Sequence, residues 1–189
     1  MNSTNAFVIR KYPHGEADYI VELFTRDYGK LSAVAKNAKK SVKRFGGRLE
    51  RFVLLKVGLN TRPRGMPVLE ECLIQNVFGS LMDNLKLFSW GSFVLETLDV
   101  LTPYEDPDEG IFDLINHTLA SLNGGQSPLK AILDFQLQIL ALSGYSPRRE
   151  ISPGSKEETI ENIKFLIEFT QRYTERRYKS LSFLEELLL

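Results

Sequence analysis

Few residues in this chain have the types and spacing that catalysis requires. The two histidines, His14 and His117, are not paired with each other or with the cysteine at the i, i+4 spacing of a helical metal site, and neither belongs to a nucleophile motif. Cys72 is the only cysteine, which excludes an internal disulfide and a cysteine-cluster zinc site. The acidic run from Glu105 to Glu109 is explained by a solvated helix start, where carboxylates complement the helix dipole. We therefore predict a protein that is not an enzyme, with no catalytic residue, metal site or cofactor.

The positive charge of the chain is concentrated between Arg26 and Arg64. Twelve Lys and Arg residues in this stretch stand against two acidic residues, a net charge of +10, although the whole chain has a formal net charge of zero. Such a density of cations is typical of a surface that binds a polyanion, with lysines acting as mobile point charges and arginines as forks. On charge alone, a lysine-rich edge that keeps a sheet soluble remains an alternative. The nucleic-acid-binding residues predicted from this stretch are Lys30, Lys36, Lys39, Lys40, Lys43, Arg44, Phe45, Arg48, Arg62 and Arg64.

These residues lie in a region with strand periodicity. From residue 6 to residue 77 the apolar residues recur with a period near two, and the spacers resemble turns, such as the reversal at Gly29. We predict five strands, of which the last two span Arg48–Asn60 and Val68–Val77, and a long basic loop over residues 37–47. A small closed barrel of the OB type is favoured, because a flat five-stranded sheet leaves its edges exposed.

Phe45 lies in the basic loop and admits two interpretations. Its ring would stack on an unpaired base, a contact worth roughly 1–3 kcal/mol, or it would fill the mouth of the barrel. The adjacent Gly46-Gly47 pair does not form a phosphate-binding loop, because the G-x-x-x-x-G-K-[ST] pattern is absent.

After Phe78 the apolar period changes to between three and four, which predicts a helical domain. The third of its helices is apolar almost all round, as in the centre of a bundle. The predicted helices cover residues 81–101 with a bend at Gly91, a segment from Asp106-Pro107 to Asn123, a segment from Ser127-Pro128 to Gly144, a segment behind a capping box of Ser155 and Glu158, and a segment from about Glu175 to the end. The predicted fold is therefore α+β, with an OB-type barrel domain over residues 1–79 and an all-α helical domain over residues 80–189.

The sequence also predicts the cellular location of the protein. No run approaches the ~20 apolar residues of a membrane helix. Residues 1–10 lack the charged head and apolar core of a secretory signal. We expect a cytoplasmic protein that makes no contact with a membrane and, if it binds DNA, is associated with the nucleoid.

Three segments in the first third of the chain resemble a known family. The segments read Gly15-Glu16-x-Asp18, then LFTRDYGKLSAVAK over residues 23–36, then SVKRFGGRLERF over residues 41–52. They are similar to the N-terminal domain of the RecO family, bacterial recombination mediators that work with RecR and RecF. The likeness continues more faintly in Gly144-Tyr145-x-Pro147 and in the segment from Lys179 to Leu184.

The resemblance implies a function without catalysis. It implies an OB fold that binds single- and double-stranded DNA and anneals complementary strands. It also implies a helical domain that accepts the acidic C-terminal tail of single-strand-binding protein, and a complex with RecR that helps to load RecA. For the tail, the sequence offers a basic patch, with a solvated helix face as the alternative: Arg172, Arg176, Arg177 and Lys179.

The chain departs from the family pattern in two places. Many members carry a four-cysteine zinc module just after the Gly-Tyr-x-Pro segment, whereas residues 148–155 here run directly into the next predicted helix without a cysteine. Asn37 stands where a glycine is expected, and asparagine tolerates the left-handed conformation better than most residues. We therefore expect no bound metal and an intact turn.

The leading hypothesis is a DNA-binding and strand-annealing protein of recombinational repair. Its affinity would come from phosphate contacts and counterion release. Two alternatives stay open: an OB module that binds RNA, since both nucleic acids offer phosphates and stackable bases, and an adaptor whose basic loop docks an acidic protein.

Overall fold

The computed structural model describes residues 2–61, 65–151, 154–185 and 188. The predicted site residues Arg62 and Arg64 lie outside the described residues. The chain divides into two compact units, Met1–Phe78 with Pro103–Phe112, and Gly79–Thr102 with Asp113–Leu189. The predicted division, at residue 79 alone, did not anticipate that Pro103–Phe112 belongs with the first unit.

The strands of the first unit form a closed barrel, as predicted. Their order around the barrel is β1-β2-β3-β5-β4. The pairing of β3 with β5, through Val34 and Val68, is parallel, and the other neighbouring strands are antiparallel. A five-stranded barrel of this kind is an OB fold. The strands are β1 Asn2–His14, β2 Asp18–Thr25, β3 Gly29–Ala35, β4 Val53–Asn60 and β5 Val68–Val77.

A β-bulge in β1 changes which side chains face the barrel interior. Before it, Ala6 and Val8 pack in the barrel core. The register with β2 then shifts between Val8 and Arg10, so that Lys11 stands opposite the core residue Val21. A bulge adds one residue to its strand and so reverses the faces beyond it. Lys11 is therefore directed toward the mouth of the barrel.

The segment between β3 and β4, predicted as a long basic loop, is more ordered than that prediction. It contains one helical turn, α1 Val42–Phe45. The predicted strand from Arg48 begins only at Val53, because Gly47 and Phe52 have positive φ angles of 64° and 61° that interrupt an extended chain. Phe45 and Leu49 are buried in the barrel core. The segment thus folds over the mouth of the barrel to bury these two side chains.

A second segment, Pro103–Phe112, packs on the outer face of β2 and β3 within the first unit. The amide of Glu105 donates to the carbonyl of Lys30 at 2.9 Å, and the Tyr104 hydroxyl donates to Glu22 Oε1 at 2.9 Å. The Phe112 ring lies 6.0 Å from the Phe24 ring, centroid to centroid. These contacts cover the outer β2–β3 face.

The second unit is helical, and several of its boundaries differ from the prediction. The helices after α1 are α2 Gly79–Asp83, α3 Leu85–Leu101, α4 Glu109–Asn123 (whose first turn belongs to the barrel unit), α5 Pro128–Leu142, α6 Lys156–Thr174 and α7 Leu181–Glu185. The first break falls at Asn84, whose side chain accepts from the amides of Lys86 and Leu87, and not at Gly91. The helix expected to begin at Asp106 begins at Glu109, because the Asp108 carboxylate accepts from the Ile111 amide at 2.9 Å and so caps the helix.

At the C-terminal side, the start of α5 at Pro128 and the capping box of Ser155 and Glu158 are as predicted. The last helix begins at Leu181 and not near Glu175, because Glu175 adopts a left-handed φ of 54° that ends α6. Within the described ranges, no helix combines the length and the hydropathy that crossing a membrane requires.

Candidate functional site

The basic segment, residues 36–48, is attached to the turn between β1 and β2. The Lys39 amide donates to the Ala17 carbonyl at 3.0 Å, and the Lys39 ammonium donates to the Gly15 carbonyl at 2.7 Å. The Asn37 amide donates to Asp18 Oδ1 at 2.8 Å, and Asn37 has the left-handed φ of 56° that its type tolerates. The turn and the basic segment therefore form one surface at this end of the barrel.

Three lysines of this surface, Lys36, Lys40 and Lys43, are exposed. In the described part of the chain none of the three makes an ion pair. Lys39 is exposed as well, although its ammonium is held by the Gly15 carbonyl. Unpaired ammonium groups on a shared surface attract phosphate and carry no preference for a base.

The two arginines of the basic segment hold the segment together. The Arg44 guanidinium donates to the Lys36 carbonyl at 2.9 Å. Arg48 Nη1 donates to the carbonyls of Arg44 and Cys72, both at 3.0 Å. Both arginines are half-buried. These hydrogen bonds tie the backbone of the basic segment to itself and to β5, and so help to hold the lysines in position.

Two predicted nucleic-acid contacts need correction. Phe45 is only 3% exposed and packs in the barrel core, so its ring fills the mouth of the barrel and is not available to stack on a base. Lys30 is also 3% exposed, and its ammonium lies 4.8 Å from the centroid of the Tyr104 ring, beneath the segment Pro103–Phe112. Neither side chain belongs to the exposed surface.

Cys72 lies under Arg48 and is not set up as a nucleophile. Burial raises the pKa of its thiol to about 11, and the nearby Arg48 charge opposes this only in part. The thiol is therefore protonated at neutral pH, whereas reactive cysteines are thiolates. In the ranges that the structure describes, no three His, Cys, Asp or Glu side chains are grouped to hold a metal ion.

A small cavity adds residues that the sequence analysis missed. It has a volume of about 200 Å³, and its walls include Lys11, Tyr19, Lys39 and Glu50. The ammonium groups of Lys11 and Lys39 lie 5.3 and 5.6 Å from the centroid of the Tyr19 ring. Strict alternation places Lys11 on the face of Ile9, and only the bulge brings it here. The signal in the sequence was a diagonal lysine–tyrosine pair across a hairpin.

The outer β2–β3 face, by contrast, is closed. OB folds commonly bind oligonucleotides on this face and on the loops that join β1 to β2 and β4 to β5. Here Pro103–Phe112 covers the face, and residues 62–64 of the β4–β5 loop lie outside the described residues. The β1–β2 turn with the basic segment, which carries four exposed lysines, is an accessible cationic surface of the described barrel.

The helical unit contains a second candidate site, which we term the aromatic groove. Its volume is about 690 Å³, and it is lined by Ser146, Arg148, Arg149, Phe165, Glu168, Phe169, Arg172 and Tyr173. Phe165, Phe169 and Tyr173 are spaced by four along α6 and so share one helix face. The Arg149 guanidinium lies 5.3 Å from the Phe165 ring centroid. Of the four basic residues predicted for a protein partner, Arg172 lines this groove, whereas the exposed Arg176, Arg177 and Lys179 do not.

Two family models match this chain, one in each half. The family model described as recombination protein O N terminal matches residues 1–78, and the one described as recombination protein O C terminal matches residues 82–165. The chain belongs to the recombination protein O family. The aromatic groove lies only partly within the matched range, since Phe169, Arg172 and Tyr173 follow residue 165.

Several curated proteins of the family are similar to this chain over most of its length. The DNA repair protein RecO of Desulfatibacillum aliphaticivorans is 34% identical over 148 residues, which cover 77% of this chain and 57% of that protein. The DNA repair protein RecO of Myxococcus xanthus is 34% identical over 145 residues, with 76% and 59% covered. That of Koribacter versatilis is 34% identical over 149 residues, with 78% and 60% covered. The chain thus spans less than two thirds of the length of these relatives.

Proposed function

We propose that this chain is a DNA-binding and strand-annealing mediator of recombinational repair, and that it is not an enzyme. In this role it acts in the RecF/RecO/RecR pathway, with RecR as a partner, and assists the loading of RecA on single-stranded DNA that is coated by single-strand-binding protein. The observation that carries the proposal is the exposed, unpaired set of Lys36, Lys40 and Lys43 on an OB barrel of the recombination protein O family.

The mode of binding follows from the types of residue on this surface. Lysines neutralise phosphates and release counterions, so affinity depends on salt and not on base sequence. Phe45 is buried, and the described surface therefore offers cations in place of a stacking platform. Strands held through their phosphates keep their base edges free to pair. Cations that offset the repulsion between two such strands promote annealing without any bond-making chemistry.

The aromatic groove supports the proposed contact with single-strand-binding protein. An acidic tail with apolar residues needs cations beside an apolar floor. Arg148, Arg149 and Arg172 supply the cations, and Phe165 with Phe169 supplies the floor. We therefore assign tail binding to this groove, with Arg172 retained from the predicted patch and Arg148 and Arg149 added.

Fluorescence anisotropy of a labelled single-stranded oligonucleotide at several salt concentrations tests the DNA-binding role. The variant Lys36→Gln/Lys40→Gln/Lys43→Gln is compared with Lys86→Gln/Lys130→Gln/Lys164→Gln, which removes three exposed lysines from the helical unit. We expect the first variant alone to weaken binding and to reduce the magnitude of the log–log salt slope by about 2, since each phosphate contact contributes roughly 0.7.

Equal effects of the two variants would show that the basic segment is not the DNA surface. A wild-type protein that fails to bind at low salt would remove the mediator role and favour an acidic protein partner. Competition with RNA of matched sequence separates the RNA-binding alternative, and an annealing assay with complementary strands tests the second half of the proposal.

A further inference from the structure

Glu50 is an acidic side chain placed inside a cationic surface. It is the sole carboxylate between Asp27 and Arg64 in the sequence. Its Oε1 atom accepts from the Lys11 ammonium at 2.7 Å, and its side chain is 53% exposed where that of Lys11 is 28% exposed. The carboxylate is therefore the member of the pair that can turn toward solvent while Lys11 keeps its place.

The groups around Glu50 are arranged for an anion. Lys11 and Lys39 both lie over the Tyr19 ring, at 5.3 and 5.6 Å from its centroid. Both lysines line the same cavity as Glu50, and the Glu50 carboxylate is paired with the Lys11 ammonium there. The cavity that they line has a volume of about 200 Å³, and its wall includes Gly47, where a Cβ atom would meet only open space, so this side of the cavity is accessible to a ligand.

We propose that Glu50 occupies the place of a nucleic-acid phosphate, and that Lys11 and Lys39 form a phosphate site at the barrel mouth which opens when DNA displaces Glu50. This inference rests on the proposed DNA-binding function and adds Lys11, a residue outside the basic stretch, to the interface. An exposed ion pair is worth little, so a polyanion with several other contacts can replace it.

The proposal predicts opposite effects for the two partners. Glu50→Gln keeps the size of the side chain but removes the competing charge, so the Kd for single-stranded DNA falls, by up to about fivefold, the factor expected for an exposed ion pair. Lys11→Gln raises the Kd and lowers the magnitude of the salt slope by roughly 0.7, the contribution of one phosphate. Lys11→Arg keeps the charge and retains most of the affinity.

The same anisotropy titration, with matched controls, tests these effects. Glu16→Gln removes an exposed carboxylate from the neighbouring β1–β2 turn, and Lys56→Gln removes an exposed lysine from β4. In the wild-type background, we expect Glu50→Gln to increase the affinity for DNA more than Glu16→Gln does. In the Lys11→Gln background this difference in affinity should disappear, because Glu50 acts through Lys11. Circular dichroism establishes that each variant is folded.

The outcomes separate this inference from the function on which it rests. If the triple lysine variant loses DNA binding while Glu50→Gln and Glu16→Gln bind DNA with the same affinity, the DNA-binding role stands and the phosphate site is refuted. If Lys11→Gln has no more effect than Lys56→Gln, the site is likewise refuted. If wild type does not bind DNA, both fail together.

Discussion

At the scale of single residues, charge in this protein serves two different purposes. The exposed lysines of the basic segment are available to a ligand, whereas Arg44 and Arg48 bind carbonyls of their own chain. A cation with several internal partners stabilises the fold, and a cation without them contributes to binding. Residue type and position in the sequence do not separate these roles, because both depend on which carbonyls lie nearby.

Arg48 and Lys43 offer a matched test of this distinction. Arg48→Gln leaves the carbonyls of Arg44 and Cys72 without their charged donor, so we expect the free energy of unfolding to fall by about 1–3 kcal/mol. Lys43→Gln, at an exposed position, should change it by less than about 0.5 kcal/mol. Urea denaturation monitored by circular dichroism measures both. Equal stabilities for the two variants would contradict a structural role for Arg48.

Cys72 makes stability depend on alkaline pH. Its pKa rises from the ordinary value of 9.0 to about 11 on folding. The unfolded chain therefore loses this proton first, and the free energy of unfolding falls as pH increases from about 9 to about 11. We expect Cys72→Ala to be less stable at pH 8 but to show a shallower decline between pH 9 and pH 10. Burial also raises the pKa of Tyr178, from 10.0 to about 12. The change in stability between pH 9 and pH 10 therefore reports mainly on Cys72, and that above pH 10 reports on both groups. If the free energy of unfolding of wild type and of Cys72→Ala falls equally between pH 9 and pH 10, Cys72 is not the source of the pH dependence.

At the scale of elements, the turn between β2 and β3 is fitted closely to the segment Pro103–Phe112. Gly29 has a φ of +64°, and the backbone of Asp106 leaves no room for a Cβ atom. Gly47 has the same φ of +64° but open space around it. The two glycines thus share a conformational requirement and differ in their surroundings.

Alanine at each glycine separates strain from close contact. Gly47→Ala should cost about 1 kcal/mol of unfolding free energy, the strain of a left-handed residue with a side chain. Gly29→Ala should cost clearly more, because the backbone of Asp106 must also move. Thermal and urea denaturation compare the two variants. A Gly29→Ala variant as stable as Gly47→Ala would show that Pro103–Phe112 is not held against this turn.

Much of the element order followed from local patterns in the sequence. The strand Val68–Val77, the start of α5 at Pro128 and the capping box at Ser155 rest on alternation, on proline and on capping chemistry, which neighbouring residues decide. Long-range packing decided the features that were missed. The short helix α1 exists because Phe45 is buried in the barrel, and Lys11 reaches the cavity because a bulge rotates the strand.

At the scale of the whole molecule, the two candidate sites lie in different compact units. Charge reversal at Arg149→Glu/Arg172→Glu should abolish binding of a labelled peptide from the acidic tail of single-strand-binding protein, and should leave DNA affinity within about twofold. The control is Arg176→Glu/Arg177→Glu, which also reverses two positive charges, but at exposed positions that do not line the aromatic groove. If the control variant loses the peptide instead, the predicted basic patch is the docking site and the groove is not.

The discontinuous barrel unit has a consequence for how the chain is made. A ribosome releases residues in order, so the five strands emerge before Pro103–Phe112, with Gly79–Thr102 synthesised in between. Until Phe112 has emerged, the nascent barrel exposes the rings of Phe7 and Phe24, which Phe112 later contacts at 5.4 and 6.0 Å between centroids. A fragment that ends with β5 would keep this apolar face exposed and would be prone to aggregation. We expect a barrel fragment to be soluble only when residues 103–112 are included or added as a peptide.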